Sequence, residues 1–373
     1  MQATKRKVPL LRKPWFQTLL ASLICILLGL LVGFIVLLII NPTGAPGAIL
    51  GVIKNFWAYS KIKTQIKNLG VTLVTTAPLL MCSLSVLFAY KVGLFNIGAA
   101  GQYVAGAGAC LYCALALKLP WFVCMIAAMA AGALLGTISG LLKSYRNVNE
   151  VISCIMLNWI SLYLVNTLLT PVKNPTGKDT YTLASQNSGA ILPSLGLGNM
   201  FNQKNVTIAI PLAILFSVII WVILTKTRLG YELRATGMNK NAAKYCGMRD
   251  KFNIVLTMAI AGALAGMGAA MLYLSDFEQW AVTQASVPAM GFNGIAAAFL
   301  GGLNPIGAIF SSYFIQHITR GGGNVDMNMY CAQISDLISS VIIYICSFVL
   351  FMKQSMNKRL DAWEQNKKGG PAA

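Results

Sequence analysis

An all-α integral membrane protein of about ten transmembrane helices is expected from three observations. Of the 373 residues, 57% are hydrophobic and only 10% charged, where ~25% charged is usual in a soluble domain. Several uninterrupted apolar runs reach about 20 residues, enough to cross a bilayer as a helix. Between two such runs lies Lys91 to Gly108, KVGLFNIGAAGQYVAGAG, with Gly93, Gly98, Gly101, Gly106 and Gly108 beside Asn96 and Gln102. Glycine weakens a helix, and a buried amide without partners costs about 2–7 kcal/mol. Irregular polar backbone survives in a bilayer only where protein covers it or it lines a water-filled cavity. Residues 91–108 therefore predict a broken or tightly packed helix beside a solute pathway.

Residues 1–14 carry Lys5, Arg6, Lys7, Arg12 and Lys13 ahead of an apolar run from Trp15 to Ile40. That run is longer than the ~7–15 residues of a signal-peptide core, so it reads as a retained first helix with a cytoplasmic N-terminus. The apolar segments are 15–40, 70–90, 99–117, 120–142, 151–170, 206–225, 254–274, 287–301, 303–318 and 330–352. The eighth is too short for a simple span and suggests a re-entrant piece. The resulting organisation is a cytoplasmic N-terminus over 1–14, a transmembrane domain over 15–352 and a cytoplasmic tail over 353–373.

The net charge of +19 does not indicate nucleic-acid binding, because the basic residues are dispersed in short loops rather than gathered on one surface. Twenty of the 29 Lys and Arg residues fall in the parts expected inside and nine in those expected outside. That bias supports cytoplasmic termini at both ends. The Lys-rich stretch 54–67 reads as an interfacial helix.

Two outer segments, the polar loop 171–205 and residues 275–286 with Asp276, Glu278 and Trp280, could dock an external partner or be plain solvated loops. Asn205-Val206-Thr207 is a glycosylation sequon. Inside, 226–253 holds seven basic residues, and 231–246 is helix-capable with Gly247 as its stop. Such a helix could attach a cytoplasmic subunit or touch anionic lipid. Asn147 and Glu150 have the spacing of a capping box for the fifth segment. Gly132, Gly136 and Gly140, with Gly262 and Gly266, predict close helix–helix packing.

Phe95-Asn96-Ile97-Gly98-Ala99-Ala100 is echoed by Phe292-Asn293-Gly294-Ile295-Ala296-Ala297. Glycine-interrupted segments at matching positions of two halves point to a transport site and suggest an inverted repeat. No GxxxxGK[ST] loop is present. His317 is the one histidine, too few for a metal site. Of nine cysteines, Cys110 and Cys113 form a CxxC inside an apolar span, which reads as small buried residues. Asp336 is the clearest ionisable residue at membrane depth, whereas proton-coupled carriers bury relays of them.

The remaining buried polar set is neutral: Asn96, Gln102, Asn158, Asn166, Asn293 and Asn304. Amides suit a neutral, hydrogen-bonding solute, although bonding between helices or capping a broken helix is the commoner explanation for any one of them. Trp159, Tyr103 and Phe292 could stack on a ring or simply pack. The candidate pathway residues are Asn96, Gln102, Asn158, Phe292, Asn293 and Asn304.

Four stretches resemble the permease subunits of bacterial ATP-binding cassette importers. More narrowly they are similar to the branched-chain amino acid and ribose-type permeases, nucleoside-uptake branch. The stretches are Gly93-Leu94-Phe95-Asn96-Ile97-Gly98 with Gly101-Gln102, and Asn149-Glu150-Val151-Ile152-Ser153 with Met156-Leu157-Asn158. The others are Arg234-Ala235-Thr236-Gly237 with Ala242, Ala243 and Gly247, and Gly301-Gly302-Leu303-Asn304-Pro305-Ile306-Gly307. The resemblance implies a non-catalytic translocation subunit in the bacterial cytoplasmic membrane, most readily for a nucleoside. It also implies a second related permease and an external solute-binding lipoprotein. A cytoplasmic ATPase, which would hold the ATP and Mg that this chain does not, would dock at 231–247 through Glu232, Arg234, Asn241, Ala242, Ala243 and Gly247. Asn241 stands where an acidic residue often does. The alternatives are a simple-sugar permease of the same type, an ion-coupled secondary carrier, and a lipid-acting enzyme, which would need a clustered His/Asp/Glu site.

Overall fold

The computed structural model describes residues 14–325, 329–330 and 334–368. Its helices are α1 (Pro14–Ile40), α2 (Ala45–Lys54), α3 (Ile62–Lys91), α4 (Ala99–Leu115), α5 (Trp121–Arg146) and α6 (Glu150–Leu169). Two single turns, α7 (Leu183–Gln186) and α8 (Leu197–Met200), lie in the polar loop. Then come α9 (Ala209–Lys226), α10 (Arg228–Met238), α11 (Lys240–Tyr245), α12 (Asp250–Tyr273), α13 (Met290–Leu300), α14 (Pro305–Gly321), α15 (Ile334–Cys346) and α16 (Val349–Lys368). Among the described residues there is no strand, only isolated bridges such as Lys173 to Thr180.

All ten apolar segments fall in helices, but among the described residues only α1, α3, α5, α6, α9 and α12 are long and apolar enough to cross a membrane. The shortfall has a visible form. α4 and α14 have 17 residues, α15 has 13 and α13 has 11, so α13 covers only about 16 Å at 1.5 Å per residue. The expected last span is interrupted by a turn at Ser347–Phe348, and residues 353–368 of the expected tail continue as α16. Asp336 sits on the α15 backbone, but its side chain lies outside the described residues, as does the 1–13 segment.

α3 is the hub, buried almost continuously from Val74 to Ala89. α12 lies beside it, and α5 reaches α12 through glycine. A Cβ on Gly132 would strike the Gly262 carbonyl, one on Gly136 the Met258 carbonyl and one on Gly266 the Ala128 carbonyl. The predicted small-residue packing is therefore real. It substitutes for hydrophobic attraction, which does not act between helices in lipid. The outer helices keep large apolar side chains exposed, such as Leu27 and Ile39 on α1, Leu134 on α5 and Leu164 on α6.

Three local expectations need correction. Residues 54–67 form no single interfacial helix: Lys54 ends α2, Asn55–Ala58 make one 3-10 turn, and Lys63 and Lys67 lie in the first turns of α3. The capping box does not form. Asn147 is left-handed (φ 51°) and closes α5, Asn149 caps α6 by accepting from Val151 N, and Glu150 pairs with Lys143 at 2.8 Å. The helix expected over 231–246 is two helices broken at Asn239, whose side chain caps α11 by accepting from Ala242 N. Gly247 does stop it, at φ +79°.

Candidate functional site

After α3 the chain does not run out of the bundle but folds back along the helix it has just left. Gly93, at φ +76°, makes that reversal, which a side chain would strain. The Asn96 amide then donates to Ser85 Oγ (3.0 Å). Ser85 lies six residues before the end of α3, about 9 Å along its axis. Asn96 and Gln102 also bond reciprocally, Asn96 Nδ2 to Gln102 Oε1 at 2.8 Å and Gln102 Nε2 to Asn96 Oδ1 at 3.1 Å. Both are fully buried. α4 thus begins inside the bundle, from a turn held by paired amides.

Asn158 on α6 completes the arrangement. Its Oδ1 accepts from Gly101 N (2.8 Å) and its Nδ2 donates to the Ile97 carbonyl (3.2 Å). Gly98 and Gly101 lack side chains because α6 lies directly on them: a Cβ at Gly101 would meet Asn158 within 2.6 Å, and one at Gly98 the Cys154 sulfur at 2.8 Å. Asn96, Gln102 and Asn158 therefore come together as one satisfied, buried network rather than as open solute contacts. An amide network in a low-dielectric interior is costly unless complete, and this one is complete.

The second half presents its echo differently. Phe292 and Asn293 lie in the first turn of α13, not before it. Phe292 is 39% exposed. Asn293 is half-buried, and its side-chain amide has no partner among the described residues. The two helix N-termini meet. A Cβ on Gly291 would stand 2.5 Å from the backbone nitrogen of Ala100, the second residue of α4, and one on Gly294 would meet Cys82 of α3. Tyr103, one turn into α4, is buried with an unpartnered hydroxyl, its ring 6.3 Å from that of Tyr273. Asn304 does not join this group. It caps α14 by accepting from Ile306 N, at the far end of α13. Trp159 lies on the exposed side of α6, stacked on Tyr163 at 6.3 Å.

At the basic end, Glu232 bonds Arg228 (2.9 Å), and Arg234 turns inward with its Nε to the Gly230 carbonyl. Asn241 and Ala242 are exposed, Ala243 is buried and Gly247 is exposed. Around them Met238 (89%) and Tyr245 (93%) stand almost free of the fold. At the opposite end the polar loop and residues 274–284 fold into one cap. Asp276 accepts from Leu183 N and Ala184 N, and Trp280, fully buried, donates Nε1 to Asn166 Oδ1 at 2.9 Å. Asn205 of the sequon donates to the Ser275 carbonyl. Within the cap, burial raises the Glu278 carboxyl above its ordinary value, and nearby Arg320 opposes that rise. His317 reaches the Ile53 carbonyl (2.9 Å) and Asn55.

Sequence reasoning missed Ser85 as the acceptor for Asn96 and missed the contact of Gly237 with the Val92–Gly93 turn. A lone serine or glycine carries no local signal for a partner far along the chain.

The family model described as the permease component of branched-chain amino acid transport systems matches residues 68–347. The chain is 33% identical over 360 residues to the guanosine ABC transporter permease protein NupP of Bacillus subtilis (strain 168), covering 94% of this chain and 97% of that protein. It is 32% identical to the nucleoside ABC transporter permease protein NupB of Lactococcus lactis subsp. cremoris (strain MG1363), covering 96% and 99%. A second B. subtilis guanosine permease protein, NupQ, is 30% identical over 65% of this chain and 77% of its own length. This multi-pass membrane chain belongs to the family of branched-chain amino acid transport system permease components.

Proposed function

We propose that the chain is a translocation subunit of an ATP-binding cassette importer for nucleosides, lining half of the solute path. The observation that carries the reading is the meeting of the α4 and α13 N-termini inside the bundle, Gly291 against Ala100. Broken helices from two halves meeting at mid-depth are how transporters expose backbone and amides to a solute without exposing them to lipid. The partly exposed face beside them offers an aromatic ring, Phe292, and an unpartnered carboxamide, Asn293. Those two groups suit the stacking surface and hydrogen-bonding edge of a nucleobase. Asn96, Gln102 and Asn158 act one layer back, holding the start of α4. Asn304, at the other end of α13, acts outside this site.

A second related permease would supply the other half of the path, as the pairs of permease proteins named in B. subtilis and L. lactis suggest. The exposed ridge of Met238, Asn241, Ala242 and Tyr245 is offered to a cytoplasmic ATPase, which holds the ATP and Mg; the chain itself is non-catalytic. A binding lipoprotein would deliver solute at the polar cap. Both termini then lie in the cytoplasm of a bacterial plasma membrane, and the starts of α4 and α13 are matching parts of an inverted repeat.

The reading is tested by co-expressing the chain with its neighbouring permease, ATPase and binding protein, and measuring uptake of labelled guanosine, ribose and glucose into proteoliposomes. ATP-dependent guanosine uptake is expected, with no ATPase activity in the chain alone. Accumulation by the chain alone without nucleotide would overturn the importer reading, and uptake of sugars in preference to guanosine would overturn the solute assignment.

A further inference from the structure

The basic end of the bundle holds a feature that transport does not explain. A groove of about 950 Å³ runs between α1 and α9, floored by the α13–α14 turn from Leu300 to Gly307. Its walls are apolar, chiefly Leu19, Leu23, Trp221, Leu224, Phe310 and Phe314. Lys91, Arg234 and Lys353 also line it, and among the described residues no Asp or Glu does. These cations come from α3, α10 and α16 and converge on the one groove. Lys353 donates to Thr18 Oγ1 (2.8 Å) and Arg234 to the Gly230 carbonyl. Among the described residues, no carboxylate pairs with any of the three.

Three like charges drawn from separate helices repel one another at the edge of a low-dielectric medium, and an anion among them would reverse the sign of that interaction. The groove opens sideways, since Leu19 (50%), Leu23 (48%) and Phe310 (72%) are exposed, and exposed apolar side chains of a spanning helix face acyl chains. An occupant must therefore combine a negative head with a long apolar body. A neutral solute gains nothing from three cations, and a free phosphate leaves the apolar walls uncovered. We propose that the groove binds an anionic phospholipid, its phosphate held by Lys91, Arg234 and Lys353 and an acyl chain lying along α1 and α14. Basic pockets between helices at the cytoplasmic surface recognise such headgroups. Because Arg234 belongs to α10, the lipid ties that helix to α3 and α16. The inference stands independently of the nucleoside reading, since it is measured without solute or nucleotide.

Native mass spectrometry of the purified full chain, titrated with phosphatidylglycerol or phosphatidylcholine, tests it. The wild-type chain is expected to retain phosphatidylglycerol preferentially. Each of Lys91→Gln, Arg234→Gln and Lys353→Gln should weaken retention about fivefold, the effect of one cation near an anionic surface. The control Lys173→Gln/Lys178→Gln/Lys204→Gln, in the opposite cap, should change nothing. A second measurement leaves every cation in place: phosphatidylglycerol brominated on its acyl chains should quench Trp221 fluorescence, a component absent in Trp221→Phe, and unlabelled phosphatidylcholine should not reverse it. Equal retention of the two lipids by the wild-type chain, or no quenching assignable to Trp221, would overturn the proposal.

Discussion

Gly237 of α10 rests against Gly93 of the α3–α4 turn so closely that a Cβ on Gly93 would lie 2.9 Å from the Gly237 carbonyl. One on Gly237 would collide with the Val92 backbone. The same α10 segment accepts a bond at Thr236 Oγ1 from the buried Asn253 of α12 (2.9 Å). Helix α10 thus bears directly on the turn that places Asn96, and through it on the start of α4. In the importer reading this is the contact that transmits movement.

Filling that contact should uncouple the machine. Gly237→Val is expected to abolish nucleoside uptake by the reconstituted importer while ATP hydrolysis persists. Gly93→Ala, strained at its positive φ, should cost about 1 kcal/mol of stability and slow uptake. Parallel uptake and phosphate-release assays would show the split, and proportional loss of both would count against it.

The amide pair predicts non-additivity. Asn96→Ala leaves a buried Gln102 amide short of a partner, at a cost of about 1–3 kcal/mol. Gln102→Leu should cost as much. The double variant Asn96→Leu/Gln102→Leu should cost clearly less than the two single losses combined, because neither amide is then left alone. Thermal unfolding in detergent measures all three.

Asn293 and Phe292 should behave in the opposite way. Neither is deeply buried, so Asn293→Leu and Phe292→Ala are expected to leave the melting temperature nearly unchanged. Loss of one hydrogen bond to solute, about 0.5–1.5 kcal/mol, should weaken uptake affinity by about two- to tenfold. Concentration dependence of guanosine uptake is the readout.

Glycine contacts make a sharp comparison. Gly262→Leu must push α5 from α12 and should destabilise by at least about 1–3 kcal/mol. Gly47→Ala, in α2 with nothing within 4 Å of its Cβ position, should be neutral or slightly stabilising. Yield of folded protein after extraction separates them.

Glu278 supplies a pH effect. Its carboxyl titrates above the ordinary 4.5 in the folded chain, so the fold favours the protonated form. The stability it contributes is full below 4.5 and is lost as pH rises through the raised value. Glu278 is itself an exposed residue, so solvent screens the effect and the shift in melting temperature is small. Glu278→Gln should flatten the decline in melting temperature over that window and leave stability at pH 4 unchanged.

Much of this architecture is legible in residue patterns. Gly132, Gly136, Gly140, Gly262 and Gly266 announced close packing by α5 and by α12, because only small residues at helical spacing let two backbones touch; that the two pack on each other came from the structure. Gly247 announced its stop, and the break near Asn96 was visible as glycine and amides between apolar runs. The meaning of those amides was not. Asn96, Gln102 and Asn293 are all carboxamides in the sequence, yet two are bonded to each other and one has no side-chain partner among the described residues. That difference depends on Ser85 and on how far α4 folds back, which are distant neighbours with no local signature. The Asn147–Glu150 spacing failed for a local reason: Asn149 took the cap and Lys143 of α5 took the Glu150 carboxylate.

The sequence by itself determined the solvent of this protein, its helices and the glycines at which they touch, since apolar length and small-residue spacing are properties of a single segment. Only the tertiary structure decided that two truncated helices meet at Gly291 and Ala100, that Gly237 bears on Gly93 and that Lys91, Arg234 and Lys353 converge. Those relationships join residues dozens to hundreds of positions apart, and packing of the whole chain, not local propensity, sets the distances between them.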